Sequence, residues 1–208
     1  MKIFRTCIPL LIGLSFAASV AYAQSNLDVF FGVGTARDSS SNTLVTNPIT
    51  GVGTYTTPAL GGTFGKAGAD ILLSHGFGVG GEADFRFGQA GYAGLNYHPI
   101  FYDFNGIWAP SFGRIQPEFE AGLGGANLKF YYPASYCDQY AGCSSANQYL
   151  ESSNHFQVHL SAGVRFYVTP HIFLRPQADI HWVHNFFQFG SNWAPEYSVA
   201  AGWSFVGH

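Results

Sequence analysis

Residues 155–168, His-Phe-Gln-Val-His-Leu-Ser-Ala-Gly-Val-Arg-Phe-Tyr-Val, alternate without a break. Phe156, Val158, Leu160, Ala162, Val164, Phe166 and Val168 are apolar, and the residues between them are polar, small or hydroxylated. A period of two sustained this long describes a β-strand with one oily and one wet face. Ordinary globular strands stop after about five or six residues. At about 3.3 Å per residue and a tilt near 40°, this one rises about 35 Å, enough to cross a bilayer. An apolar face of that length has to meet a second protein layer or lipid.

The first 23 residues are set aside before the fold is considered. Lys2 and Arg5 form a basic start, Ile8–Val20 an apolar stretch, and Ala21-Tyr22-Ala23 the small-residue pattern of a signal-peptidase site. Residues 1–23 are therefore expected to be a cleaved signal peptide, and residues 24–208 one domain. Without Lys2 and Arg5, seven Lys+Arg face twelve Asp+Glu, which offers no basic patch for nucleic acid. Charged residues are 10% of the chain against about 25% in soluble domains. Beyond the leader, no apolar run is long enough for a membrane helix. Low charge and the lack of a long apolar run fit membrane crossing by strands.

The remaining segments repeat the alternation. Leu27, Val29, Phe31 and Val33 oppose Asp28, Gly32 and Gly34; Ala67, Ala69, Ile71 and Leu73 oppose Lys66, Gly68 and Asp70. Val79, Gly81, Ala83 and Phe85 oppose Gly80, Glu82, Asp84 and Arg86. Further strands are expected over 92–108, 114–128, 172–183 and 197–205, which makes eight. Pro99 predicts a bulge. Residues 37–61 and 131–154 read as long loops, and three short turns fall on the opposite side. Long loops outside and short turns inside are the pattern of an up-and-down transmembrane barrel. Trp108, Phe112, Trp203 and Phe205 are expected to girdle one rim, and Trp182, Phe186, Phe187, Trp193 and Tyr197 the other.

With its leader, eight alternating strands and short turns, the chain resembles the OmpA-type eight-stranded outer-membrane barrels of Gram-negative bacteria. Pro99-Ile-Phe-Tyr-Asp-Phe-Asn-Gly-Ile-Trp is similar to a strand of small single-domain members. The ending Tyr197…Gly202-Trp203-Ser204-Phe205 is similar to the strand signal read by the barrel-assembly machinery, followed here by Val206-Gly207-His208. The resemblance implies an all-β, antiparallel barrel in the cell outer membrane, surrounded by lipid. It implies a structural or surface-interaction role through the outer loops. A monomer is expected, and no cofactor.

Candidate site residues follow from the wet faces. Lys66, Asp70, Glu82, Asp84, Arg86, Arg114, Glu118, Glu120, Arg165, Arg175 and Asp179 are expected in the lumen as a polar network, joined by Gln116, Gln177 and His181. Eight strands leave an interior just wide enough for side chains to fill it, so no conduction is expected; a narrow pore is the alternative. Cys137 and Cys143 lie close together in an exported chain and are expected to pair. His155 and His159, four residues apart on one strand face, are about 13 Å from each other and cannot share a metal. With His181 the only other candidate partner, no metal site is expected. A lipid-modifying hydrolase would draw on His184, Ser191 and Glu196, which have no nucleophile motif around them. A soluble, lipocalin-like carrier would turn the apolar face inward.

Overall fold

The computed structural model describes residues 26–38, 44–46, 52–57, 60–92, 94–138 and 142–206. The expected leader lies outside the described residues. The elements are β1 (Asn26–Ala36), β2 (Leu44–Thr46), β3 (Thr54–Thr56), β4 (Phe64–Leu72), β5 (Phe77–Arg86) and β6 (Ala90–Tyr92). They continue with β7 (Leu95–Trp108), β8 (Ile115–Asp138), β9 (Gly142–Tyr167), β10 (Ile172–Val183) and β11 (Trp193–Ser204). Eight of them pair in the order β1-β4-β5-β7-β8-β9-β10-β11, every neighbour antiparallel. The last strand then pairs with the first, from Asp28↔Ser204 to Ala36↔Glu196. The barrel is closed on itself.

Two side chains fasten the seam where the ends meet. Asn26 Nδ2 donates to Ser204 Oγ at 2.7 Å, and Ser204 Oγ donates back to Asn26 Oδ1 at 3.0 Å.

The oily parity faces outward. Phe31 is 54% exposed, Leu123 57%, Leu160 53% and Val199 52%, while the residues between them point into the barrel. A water-soluble carrier would show the reverse, so that alternative is overturned by the direction of the faces. Val164→Lys on the lipid side should cost roughly 2–4 kcal/mol. Gln157→Lys should be milder, because Gln157 is buried and its Nε2 lies 3.0 Å from Asp103. Urea unfolding of both variants in phospholipid bilayers checks this; equal losses would mean that the faces are wrongly assigned.

Three features depart from the sequence-based expectation. The ladder through Pro99 keeps its register, Pro99↔Leu128 between Ile100↔Asn127 and His98↔Lys129, so there is no bulge there. The interruption lies at Pro176 instead. The β9–β10 pairs lapse between Leu174↔Phe166 and Gln177↔Gly163 and resume in the same register. Proline has no N–H to give the ladder. With Pro117, Ala162, Val164 and Ala178 around it, Pro176 leaves a hollow of about 510 Å³ in the lipid-facing wall.

The second long loop is also not a loop. β8 and β9 pair from Ile115↔Phe166 to Asp138↔Gly142, with one register shift between Phe130 and Tyr131. β7 stops at Asn96↔Tyr131 and β10 at Val183↔Gln157. Above Tyr131 the two long strands therefore have, among the described residues, only each other as ladder partners, over about 23 Å. A run of Ser, Asn, Gln and Tyr carries no apolar alternation, because both of its faces meet water. The first long loop contains a small two-stranded sheet, β2–β3.

Cys137 and Cys143 form a directly cross-strand pair at the end of this hairpin and are joined by a disulfide. Removing it as Cys137→Ser/Cys143→Ser should loosen the tip and leave the barrel folded. The loop closed is short and contributes at most about 2–3 kcal/mol in the chain-entropy view. The check is gel mobility without boiling, which should match the parent; conversion to the heat-denatured mobility would place the bond in the barrel's own stability.

Candidate functional site

The inward parity brings long charged chains to a common axis, and small residues make room for them. A Cβ at Gly80 would lie 2.0 Å from Asp70 Oδ1, and one at Gly122 would lie 1.8 Å from Asn105 Oδ1. A side chain at Gly80 would displace Asp70, and one at Gly122 would also meet the backbone oxygen of Phe104 at 2.4 Å. The charges then sort into two tiers.

The lower tier, toward the short turns, is built on two arginines. Arg165 on β9 holds Asp28, Glu118 and, at 2.6 Å, Asp70. Arg175 on β10 reaches Glu118 with Nε at 2.7 Å, Glu120 at 2.5 Å and Asp70 at 3.2 Å. Its guanidinium also lies 4.3 Å from the Phe30 ring centroid, and that of Arg165 lies 5.3 Å from Phe173. Each planar fork thus has carboxylates at its edge and an aromatic face against its plane.

The upper tier centres on Lys66 and two histidines. Lys66 Nζ is ringed by Glu82 at 2.9 Å, Asp84 at 3.1 Å, Asp179 at 3.4 Å and Glu196 at 4.0 Å. His159 and His181 are direct cross-strand partners, stacked with ring centroids 4.9 Å apart. His159 is fully engaged: Nδ1 faces Asn105 Oδ1 at 3.1 Å and Asp103 at 3.3 Å, and Nε2 faces Asp179 at 3.0 Å. His181 is not. It is stacked between His159 and Phe101, and neither ring nitrogen has a hydrogen-bond partner among the described residues.

Apolar clusters lie at both ends of the lumen, above and below these tiers. Phe64, Tyr97, Phe101, Phe186 and Phe189 form one buried cluster at the outer end. Leu72, Ile107 and Ala109 form another at the opposite end. Phe186 departs from the expected outer aromatic girdle: it turns inward and is fully buried, with its ring centroid 4.7 Å from that of Phe189. Trp193 and Tyr197 do face outward, as do Trp108, Phe112, Trp203 and Phe205 at the other rim.

The eight-stranded barrel is a shape that other solved structures share. A major outer membrane protein of Thermus thermophilus superposes with a TM-score of 0.55 at 12% identity, over 88% of this chain and 100% of its own. Neisserial surface protein A gives 0.54 at 15% identity, over 86% and 97%. Ail of Yersinia pestis, solved in complex with the heparin analogue sucrose octasulfate, gives 0.53 at 12%, over 88% and 99%. No protein-family model and no curated protein matches the chain. The fold is that of the small outer-membrane barrels. Its belt of apolar side chains is a lipid-facing surface, and the cell outer membrane is where this fold resides.

Within that barrel, Lys66, Asp70, Glu82, Asp84, Glu118, Glu120, Arg165, Arg175 and Asp179 are all brought together in the lumen. Arg114 is not: it lies in the exposed turn before β8. A residue between strands does not inherit the inward parity of the strand that follows. Arg86 lies above the charge tiers, its guanidinium 5.7 Å from the Tyr97 ring centroid. In the closing strand Tyr197 and Trp203 face outward, as does Phe205 just after it, and a Cβ on Gly202 would lie 2.1 Å from Phe173 Cζ.

The network also holds Asp28, Asp103, Asn105, Gln157, His159 and Glu196. The same parity marks the first five. Glu196 reads as a loop residue until β11 is seen to begin at Trp193. Its inward direction also separates it from the hydrolase candidates. Glu196 faces Lys66 and His181 inside the barrel, His184 is exposed, and Ser191 Oγ meets the backbone of Trp193. These three do not converge.

The balance of charge inside is uneven. Nine buried carboxylates, Asp28, Asp70, Glu82, Asp84, Asp103, Glu118, Glu120, Asp179 and Glu196, share the lumen with Lys66, Arg165 and Arg175. Uncompensated buried charge is costly, so the surplus has to be met by protons or by further cations.

Proposed function

We propose that this barrel is a closed, non-conducting outer-membrane protein that acts through its outer segments, above all the β8–β9 hairpin. The observation that carries the reading is the hairpin itself. It continues well past the barrel, is closed by a disulfide, and shows Tyr132, Tyr149 and Leu150 at 54–56% exposure. Aromatic side chains held on a stiff ribbon are good contact residues, because little rotamer freedom is lost when they are covered. Its base is tied down as well. Asn96 donates to Asn147 at 3.1 Å, and Asn147 to Gln89 at 2.6 Å.

The reading is of a binding or structural protein and not of an enzyme. Its partner is of the cell surface or beyond, and the chain works as a monomer inserted by the barrel-assembly machinery through β11. Recognition of a polysulfate, as in the Ail complex, is not part of it. Between residues 129 and 152 the charged residues are Lys129, Asp138 and Glu151, which is no polyanion site.

The test compares cells carrying the full chain with cells in which residues 132–148 are replaced by a short Gly-Ser turn. With surface amounts matched and unheated gel mobility unchanged, adhesion to protein-coated and hydrophobic surfaces should fall with the shortened hairpin. Equal adhesion would overturn the assignment to the hairpin.

A further inference from the structure

We propose that Asp84, His181 and Glu196 form a binding site for one divalent transition-metal ion of the zinc type, inside the upper half of the lumen. One ligand atom from each of the three lies within 4.8 Å of the others, and all three side chains are fully buried. Three atoms so placed lie within about 2.8 Å of a common centre, against about 2.0–2.2 Å for zinc–nitrogen and zinc–oxygen bonds. Closing that difference takes less than about 1 Å from each side chain.

His181 and Glu196 together single out this set from the other carboxylate and histidine groupings of the lumen. It is buried with both ring nitrogens unpartnered, and its Nε2 points at Glu196 Oε2 from 3.7 Å, beyond hydrogen-bond reach. Neither oxygen of Glu196 has a hydrogen-bond partner among the described residues. His181 also lies in a set with Asp103 and His159, but there the second imidazole is spent, because both nitrogens of His159 are taken by Asn105 and Asp179. The group Asp70, Glu118 and Glu120 is already occupied by Arg165 and Arg175.

The surroundings suit the ion. Phe101 and His159 hold the His181 ring on both faces, and Lys66 fixes Asp84 at 3.1 Å, as partners behind a metal's ligands commonly do. A neighbouring ammonium would ordinarily oppose a second cation. Here Glu82 and Asp179 hold it too, and Asp103 faces His159 beside it, so the tier stays short of positive charge even with Lys66 counted. An imidazole with two carboxylates selects zinc and its neighbours over calcium or magnesium, which want six or more oxygens. The aromatic cluster above seals the lumen, so loading takes place while the barrel folds.

The experiment refolds the full chain from urea into detergent with Zn²⁺ present, removes excess with a chelator and a sizing column, and measures bound metal. About one zinc per folded chain is expected, and Co²⁺ in its place should give the visible absorption of nitrogen- and oxygen-ligated cobalt. His181→Phe keeps the aromatic stack and should abolish both signals, whereas His155→Phe should change neither. Should His181→Phe fail to reach folded gel mobility, Glu196→Gln gives the same reading, with loss of metal expected. No retained metal in the parent, or equal retention in His181→Phe and Glu196→Gln, overturns the proposal.

Discussion

Arg175→Met should lower the stability of the folded barrel by about 3–5 kcal/mol or more, the cost of breaking a buried ion pair from one side. Arg175 is fully buried, and among the described residues its fork is the only cation touching Glu120, at 2.5 Å. It also shares Glu118 and Asp70 with Arg165. Without it, three buried carboxylates face one another with Arg165 as the cation left on two of them. The loss should be read from urea unfolding in detergent or lipid, followed by tryptophan emission. Arg114→Met, in an exposed turn, should stay within about 0.5 kcal/mol. Adding Glu120→Gln to Arg175→Met should recover part of the loss, because the stranded charge is then gone. If Arg175→Met behaves like Arg114→Met, the lower tier is not a network that supports the fold.

The second large effect concerns ions. The parent protein in a planar bilayer should show no unitary conductance. Two barriers lie in series: the charged tiers that fill the mid-lumen, and the cluster of Phe64, Tyr97, Phe101, Phe186 and Phe189 above them. A hydrated ion would have to displace charge-assisted hydrogen bonds in the first and shed its water in the second. Arg165→Ala alone should therefore remain silent, since the outer cluster is untouched. Combining it with Phe186→Ala and Phe189→Ala removes part of both barriers and should admit leakage. Steady channels of uniform size in the parent would show that the lumen is a pore.

Much of this barrel is legible in its residues. Alternation in 155–168 and in the segments around Lys66 and Glu82 assigns every side chain to lipid or lumen, because a strand has only two sides. Parity does not say which rung meets which. That Arg175 meets Glu118, and that His159 stacks on His181, depends on the stagger of strands distant in sequence. Along its own strand the neighbour of His159 is His155, whereas the histidine beside it in space lies across the ladder. The hairpin above Tyr131 is illegible for a different reason: a ribbon wet on both faces has no apolar period to betray it. Phe186 and Phe189 are ambiguous in kind, since an aromatic loop suits an interface and a lumen cap equally well.

Burying nine of its twelve acidic residues and three of its cations in the lumen leaves the chain with few formal charges where it meets the medium. Long-range attraction therefore has little to act on at the hairpin. Encounter with whatever it touches should proceed at the rate of unsteered diffusion, about 10⁵–10⁶ M⁻¹s⁻¹. That rate should barely respond to ionic strength, so contact would form as readily in brackish water as in fresh.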